Sequence, residues 1–135
     1  MPGILADNDV GGQVARLVQL LSEEPYQELW TGLNLSVATF ETLGLSRETP
    51  DADLWQACQS RGLMLITGNR NDDGPDSLEA TIRDHTRPTS LPVFTISDPR
   101  RVLKDHAYAL RAAIKLLEYL FDVDSYLGTG RLYLP

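Results

Sequence analysis

The sequence predicts an α/β domain, a three-layer α/β/α sandwich built on a mostly parallel sheet of four to five strands. Three observations carry this prediction. Short apolar runs recur at Ile4-Leu5-Ala6, Leu63 to Thr67 and Pro92 to Ile96, and strands buried on both faces read as such runs rather than as alternations. Longer segments with apolar residues at helical spacing lie between them. Acids and amides gather directly after the strands, where open α/β sheets place their sites.

The elements follow in order. Gly3 to Asp7 is a central strand ending on acid. Gly11-Gly12 breaks the chain before a helix over Gln13 to Ser22, where Val14, Leu17, Val18 and Leu21 form one apolar stripe, and Glu23-Glu24-Pro25 stops it. Tyr26 to Leu33 reads as a helical turn carrying Trp30, and Asn34 to Phe40 alternates as a second strand. After a loop from Gly44 to Pro50, Thr49 or Asp51 caps a helix with acids in its first turn. That helix ends at Arg61-Gly62, a basic residue followed by a C′ glycine.

Leu63 to Thr67 is the third strand, passing into a polar turn of Gly68, Asn69, Arg70, Asn71, Asp72, Asp73 and Gly74. Ser77 then caps a short helix to about His85. Pro92 to Ile96 is the fourth strand, and Asp98-Pro99 forms an N-cap and N1 pair. Arg100 to Phe121 reads as one long helix whose seam is Leu103, Ala107, Leu110, Ile114, Leu117 and Phe121, widened by Leu116 and Leu120. Arg131 to Leu134 closes the sheet as an edge strand.

At 135 residues, 42% hydrophobic and 23% charged, the chain is expected to form a single domain spanning 1–135 with a real core. The first residues lack a signal-peptide pattern and no run approaches the roughly 18 apolar residues of a membrane span, so a cytoplasmic protein without membrane contact is expected. Cys58 is the only cysteine, which rules out an intrachain disulfide and a thiolate metal cage. A net charge of −7 argues against gripping nucleic acid by bulk electrostatics. It does not argue against a nuclease, because a pocket that loads divalent cations is acidic until the ion inverts the local field.

The candidate chemistry is acidic. Asp7 and Asp9, Asp51 and Asp53, the Asn69 to Asp73 cluster, and Asp98 each follow a strand or open a helix. Three of these groups are strand ends, which in a parallel sheet share one edge, so their oxygens can converge as Mg²⁺ or Mn²⁺ ligands; Asp51 lies at the start of a helix and joins them only as the packing allows. The candidate metal ligands are Asp7, Asp9, Asp51, Asn69 and Asp72, with Asp7, Asp51, Asp72 and Asp73 as the catalytic set. The competing reading makes Asp51 and Asp98 plain caps and Asp9 a turn residue. Arg70, Arg100 and Arg101 are the candidate phosphate-binding cations, or else solvated faces. His85 and His106 lie on different helices and read as surface residues, and no phosphate loop or nucleophile elbow is present.

Taken together these pieces resemble the PIN-like domain family, in its short single-domain branch. The strand Ile4 to Ala6 ending on Asp7, the Asp51 to Gly62 helix, the strand and loop Leu63 to Asn71, and the stretch Pro92 to Arg100 carry the resemblance over nearly the whole chain. It implies a Mg²⁺- or Mn²⁺-dependent endoribonuclease acting on RNA, of the kind found as toxins with antitoxin partners. Asp7 and Asp51 keep the family's acids. Where the family has Thr-x-Asp-x-Asp, this chain has Thr67-Gly68-Asn69-Arg70-Asn71, with Asp72 and Asp73 following. The amides open a second reading, a catalytically inactive binding module, and the wide apolar stripe of the last helix offers it a homodimer surface. A receiver-like phosphoacceptor domain is the weakest alternative, because no aspartate ends the third strand.

Overall fold

Burial of the short apolar runs decides the architecture. A computed structural model of the chain describes residues 3–69 and 77–135. Its strands are β1 (Gly3–Ala6), β2 (Ser36–Ala38), β3 (Leu63–Thr67), β4 (Val93–Ile96) and β5 (Arg131–Leu134), all parallel, in the order β2-β1-β3-β4-β5. The helices are α1 (Gly11–Leu21), α2 (Gln27–Leu33), α3 (Phe40–Leu43), α4 (Asp51–Arg61), α5 (Leu78–His85), α6 (Pro99–Lys104) and α7 (His106–Phe121). Short 3₁₀ turns span Asn8–Val10 and Val123–Tyr126.

Two apolar layers sandwich the sheet, and the two-residue side-chain period of each strand feeds both. Ile4, Met64, Ile66, Phe94 and Ile96 face α1, α6 and α7, where Leu17, Leu21, Val102, Ala109, Ala112 and Leu116 meet them. Leu5, Leu63, Leu65 and Val93 face the other way, onto Phe40, Leu54, Trp55, Cys58, Leu78 and Ile82 of α3, α4 and α5. Burial pushes the Cys58 thiol up to about 12, so it stays protonated and packs as a small hydrophobe. Among the described residues no helix is long and apolar enough to cross a membrane.

Several elements differ from the sequence reading. Gly11 and Gly12 do not break the chain; they form the first turn of α1, directly after the 3₁₀ turn and with open space around each. The second strand is only Ser36–Ala38. Asn34 takes the left-handed conformation that ends α2, at φ 51°. Thr39 and Thr42 form a reciprocal capping box that draws Phe40 into α3. Neither Thr49 nor Asp51 caps α4: Pro50 holds that position, and the Thr49 hydroxyl donates to the Ser46 carbonyl instead.

The long C-terminal helix is two helices. Asp105 is extended, at φ −123° and ψ 103°, and its carboxylate accepts from the Tyr108 N–H to start α7 afresh. The break resets the helical phase. Tyr108, Ala109, Ala112, Ala113, Leu116, Leu117 and Leu120 are buried, while Leu103 and Phe121 of the expected seam are 58% and 53% exposed. Three alanines at the contact let α7 sit close against α1 and the sheet, a face that a search for large apolar residues passes over. Replacing Asp105 by Ala removes the cap of α7 and should lower unfolding stability by about 1 kcal/mol. A urea midpoint unchanged from wild type would show that the break does not depend on that cap.

Candidate functional site

The strand order places the loops after β1 and β3 side by side where the chain connections diverge, the position at which doubly wound sheets bind ligands. Asp7 leaves β1 there with both carboxylate oxygens held. Oδ1 accepts from the Asn8 N–H at 2.7 Å, and Oδ2 accepts from the Thr67 hydroxyl at 2.7 Å. Thr67 ends β3 and is fully buried. Its oxygen also accepts from the Asn69 N–H at 2.9 Å, so the hydroxyl is fixed in orientation.

Asn69 carries the chain of contacts onward. Its side-chain amide donates to Asp51 Oδ2 at 3.1 Å, an orientation the carboxylate requires because it can only accept. The same Asp51 oxygen accepts from the Leu78 N–H at 3.1 Å. Asp51 is therefore the first residue of α4 and also satisfies an orphan N–H at the start of α5, next to the Ser77 cap on Ala80. From the far edge of the sheet Arg131, whose side chain is 5% exposed, reaches Asn69. Its Nη1 donates to the Asn69 carbonyl at 2.7 Å and to the Thr95 hydroxyl at 2.6 Å, and its Nη2 lies 2.9 Å from Glu79.

Asp7, Asp9, Asp51 and Asn69 line one cleft of about 310 Å³, with Arg47 and Thr49 on its rim. An adjoining recess of about 330 Å³ shares Asp7, Asn8, Phe40 and Arg47. Three carboxylates thus face a single cation among the described residues. Burial is the largest influence on Asp7 and raises its pKa above the ordinary carboxylate range. The charges of Asp9 and Asp51 push the same way, outweighing the lowering by the Thr67 hydroxyl and the Asn8 N–H. The ionised form of Asp7 is under electrostatic stress that a cation in the cleft would relieve.

A divalent ion held here would have few protein oxygens and would keep most of its waters. Among the described residues no three His, Cys, Asp or Glu side chains form a metal-holding group. Mg²⁺ needs no such group, since it is commonly held by one or two carboxylates and its own waters. Asp7 and Asp51 would be those carboxylates, each with acceptor capacity left on its oxygens.

Not every expected residue joins the cleft. Arg70, Asp72 and Asp73 lie outside the described residues. Arg100 and Arg101 sit on α6 and do not line the cleft; Arg101 pairs with Asp105 at 2.8 Å and lies 4.4 Å over the Tyr108 ring. Asp98 begins α6 without a side-chain cap bond, and its N–H donates to the Tyr108 hydroxyl. The sequence reading missed Arg47, which stands in a loop without periodicity. It also missed Arg131 as a buried anchor, although a charged residue leading an apolar edge strand is a signal. A larger recess of about 450 Å³ at the far ends of α4 and α5 has one carboxylate, Asp84, in its lining and no acidic cluster.

Fold and site together define a doubly wound α/β domain with an acidic cleft at its switch point. The chain matches no protein-family model, no curated protein and no solved structure.

The raised Asp7 pKa has a pH signature. The folded protein binds that proton more tightly than the unfolded chain does, so the contribution is stabilising below the ordinary carboxylate range. It is lost as pH rises through the raised value. Without divalent ions, the stability advantage of wild type over Asp7→Asn should shrink as pH goes from about 3 to about 7. Urea midpoints across that range read it, and a difference that stays flat would refute the stress on Asp7.

Proposed function

We propose that the protein is a cytoplasmic Mg²⁺- or Mn²⁺-dependent endoribonuclease of the PIN-like type. The observation that carries the reading is Asp7, half-buried and held by Thr67, facing Asp9 and Asp51 across a cleft at the sheet's switch point. A divalent ion there supplies charge neutralisation and the activation of water for attack at phosphorus. The chain's own residues do the positioning. Thr67 and the Asn8 N–H orient the Asp7 carboxylate, while Asn69 and the start of α5 orient that of Asp51. Arg47, exposed on the rim and without a salt bridge among the described residues, is placed to meet an RNA phosphate. An antitoxin-like protein that covers the cleft is the partner class this reading calls for.

A second reading rests on Asn69. Its amide donates into Asp51 where the family pattern has an acid, which favours a module that keeps the fold and binds a partner without cutting.

Calorimetric titration of Mn²⁺ into wild type and Asp7→Asn, with RNA cleavage measured beside it, separates the two. The nuclease reading expects saturable binding that the variant weakens by at least about 100-fold, more than an outer-shell change costs, and cleavage that falls with it. Cleavage untouched by Asp7→Asn would sink this reading. Absence of both binding and cleavage in wild type would select the inactive module.

A further inference from the structure

One side of α7 carries an apolar stripe that this chain covers only in part. Ala107 and Phe121 are exposed there, and Leu110 and Ile114 are half-buried. At the helical repeat these four fall within about 60° of one another. Arg111 and Glu118, both exposed, border the stripe on one side. Arg111 has no salt bridge among the described residues and lies 5.7 Å from the Tyr108 ring centre. Glu118 has a single long contact, 3.5 Å to Lys115 on its own helix. An aromatic ring at the end of an apolar stripe with charges along its border has the composition of an interface core and rim.

We propose that this face joins two copies of the chain, their α7 helices packed antiparallel about a two-fold axis near Ile114. A two-fold contact must be self-complementary, and this stripe is so in both shape and charge. Ile114 lies midway between Ala107 and Phe121, so antiparallel packing sets the large ring of one copy over the small residue of the other. The same register brings Arg111 of each copy to Glu118 of the other, twice per dimer. Parallel packing about an axis along the helices would instead carry the Arg111–Glu118 border of the two copies to opposite edges of the contact, where the four charges find no partners across it. With a net charge of −7 on each chain, long-range repulsion opposes association. The two ion pairs therefore select the orientation, while the apolar stripe supplies the attraction. This inference does not depend on the chemistry of the cleft.

Light scattering and sedimentation equilibrium test it directly. The mass of wild type should rise with concentration from 15.0 kDa towards twice that value. Arg111→Glu and Glu118→Arg should each weaken the dimer by about 10-fold or more, because each turns two attractions into two repulsions. The double variant R111E/E118R restores opposite charges and should dimerise as wild type does. Circular dichroism of each variant checks that the exposed substitutions leave the fold intact. A wild type that stays monomeric at all concentrations, single variants that dimerise unchanged, or a double variant that remains monomeric would each overturn the proposal.

Discussion

The Thr67 hydroxyl donates to Asp7 and accepts from the Asn69 N–H, and on that one buried oxygen the cleft depends. β1 and β3 are neighbours, each buried on both faces, and each ends in a group that cannot be buried unpaired. Joining Asp7 to the Asn69 backbone through Thr67 satisfies both ends at once. It also sets the separation of the two loops that flank the switch point. A larger or apolar residue at Thr67 would leave the Asp7 oxygen without its donor in a site already crowded with negative charge.

Asn69 extends the same logic into the second layer of helices. Its N–H, carbonyl and side-chain amide go to Thr67, Arg131 and Asp51, which belong to three different elements. Asn69 is thereby tied to the start of α4, to the far edge strand and, through Asp51, to the start of α5. Gly68 allows this close packing, because a Cβ there would come within 2.9 Å of the Pro99 ring at the start of α6. Among the described residues the acidic wall of the cleft is held by neutral donors and one distant arginine, and Arg47 on the rim is the one cation in its lining.

The sheet and most helices were legible in the sequence because doubly buried strands leave short, uninterrupted apolar runs. β1, β3 and β4, the Ser77 cap and the Arg61-Gly62 stop could all be placed from local pattern. Asp7, Asp9 and Asn69 could be grouped because a parallel sheet brings its strand ends to one edge, whereas Asp51 opens a helix and joins them through packing that the pattern left open. What escaped was set by tertiary contact. Asp105 restarts a helix that apolar spacing carries straight through, and alanines form the face that larger residues would be expected to fill. The partners of Asp51 lie 18 and 27 residues away in sequence, so local reading could see only a cap for its own helix.

Arg131 meets Asn69 across 62 residues of sequence and Thr95 across 36. The geometry of the cleft is thus completed by a side chain from the last strand of the sheet. During synthesis β1, β3, Asp7 and Asp51 emerge before the arginine that holds the Asn69 carbonyl, and domains form only as their non-local contacts become available. Until that strand docks, the Asn69 carbonyl, Thr95 and Glu79 lack their shared partner. Arg131 is thus among the last of these residues to be made, and its contacts with Asn69, Thr95 and Glu79 close only after the four strands before it have emerged.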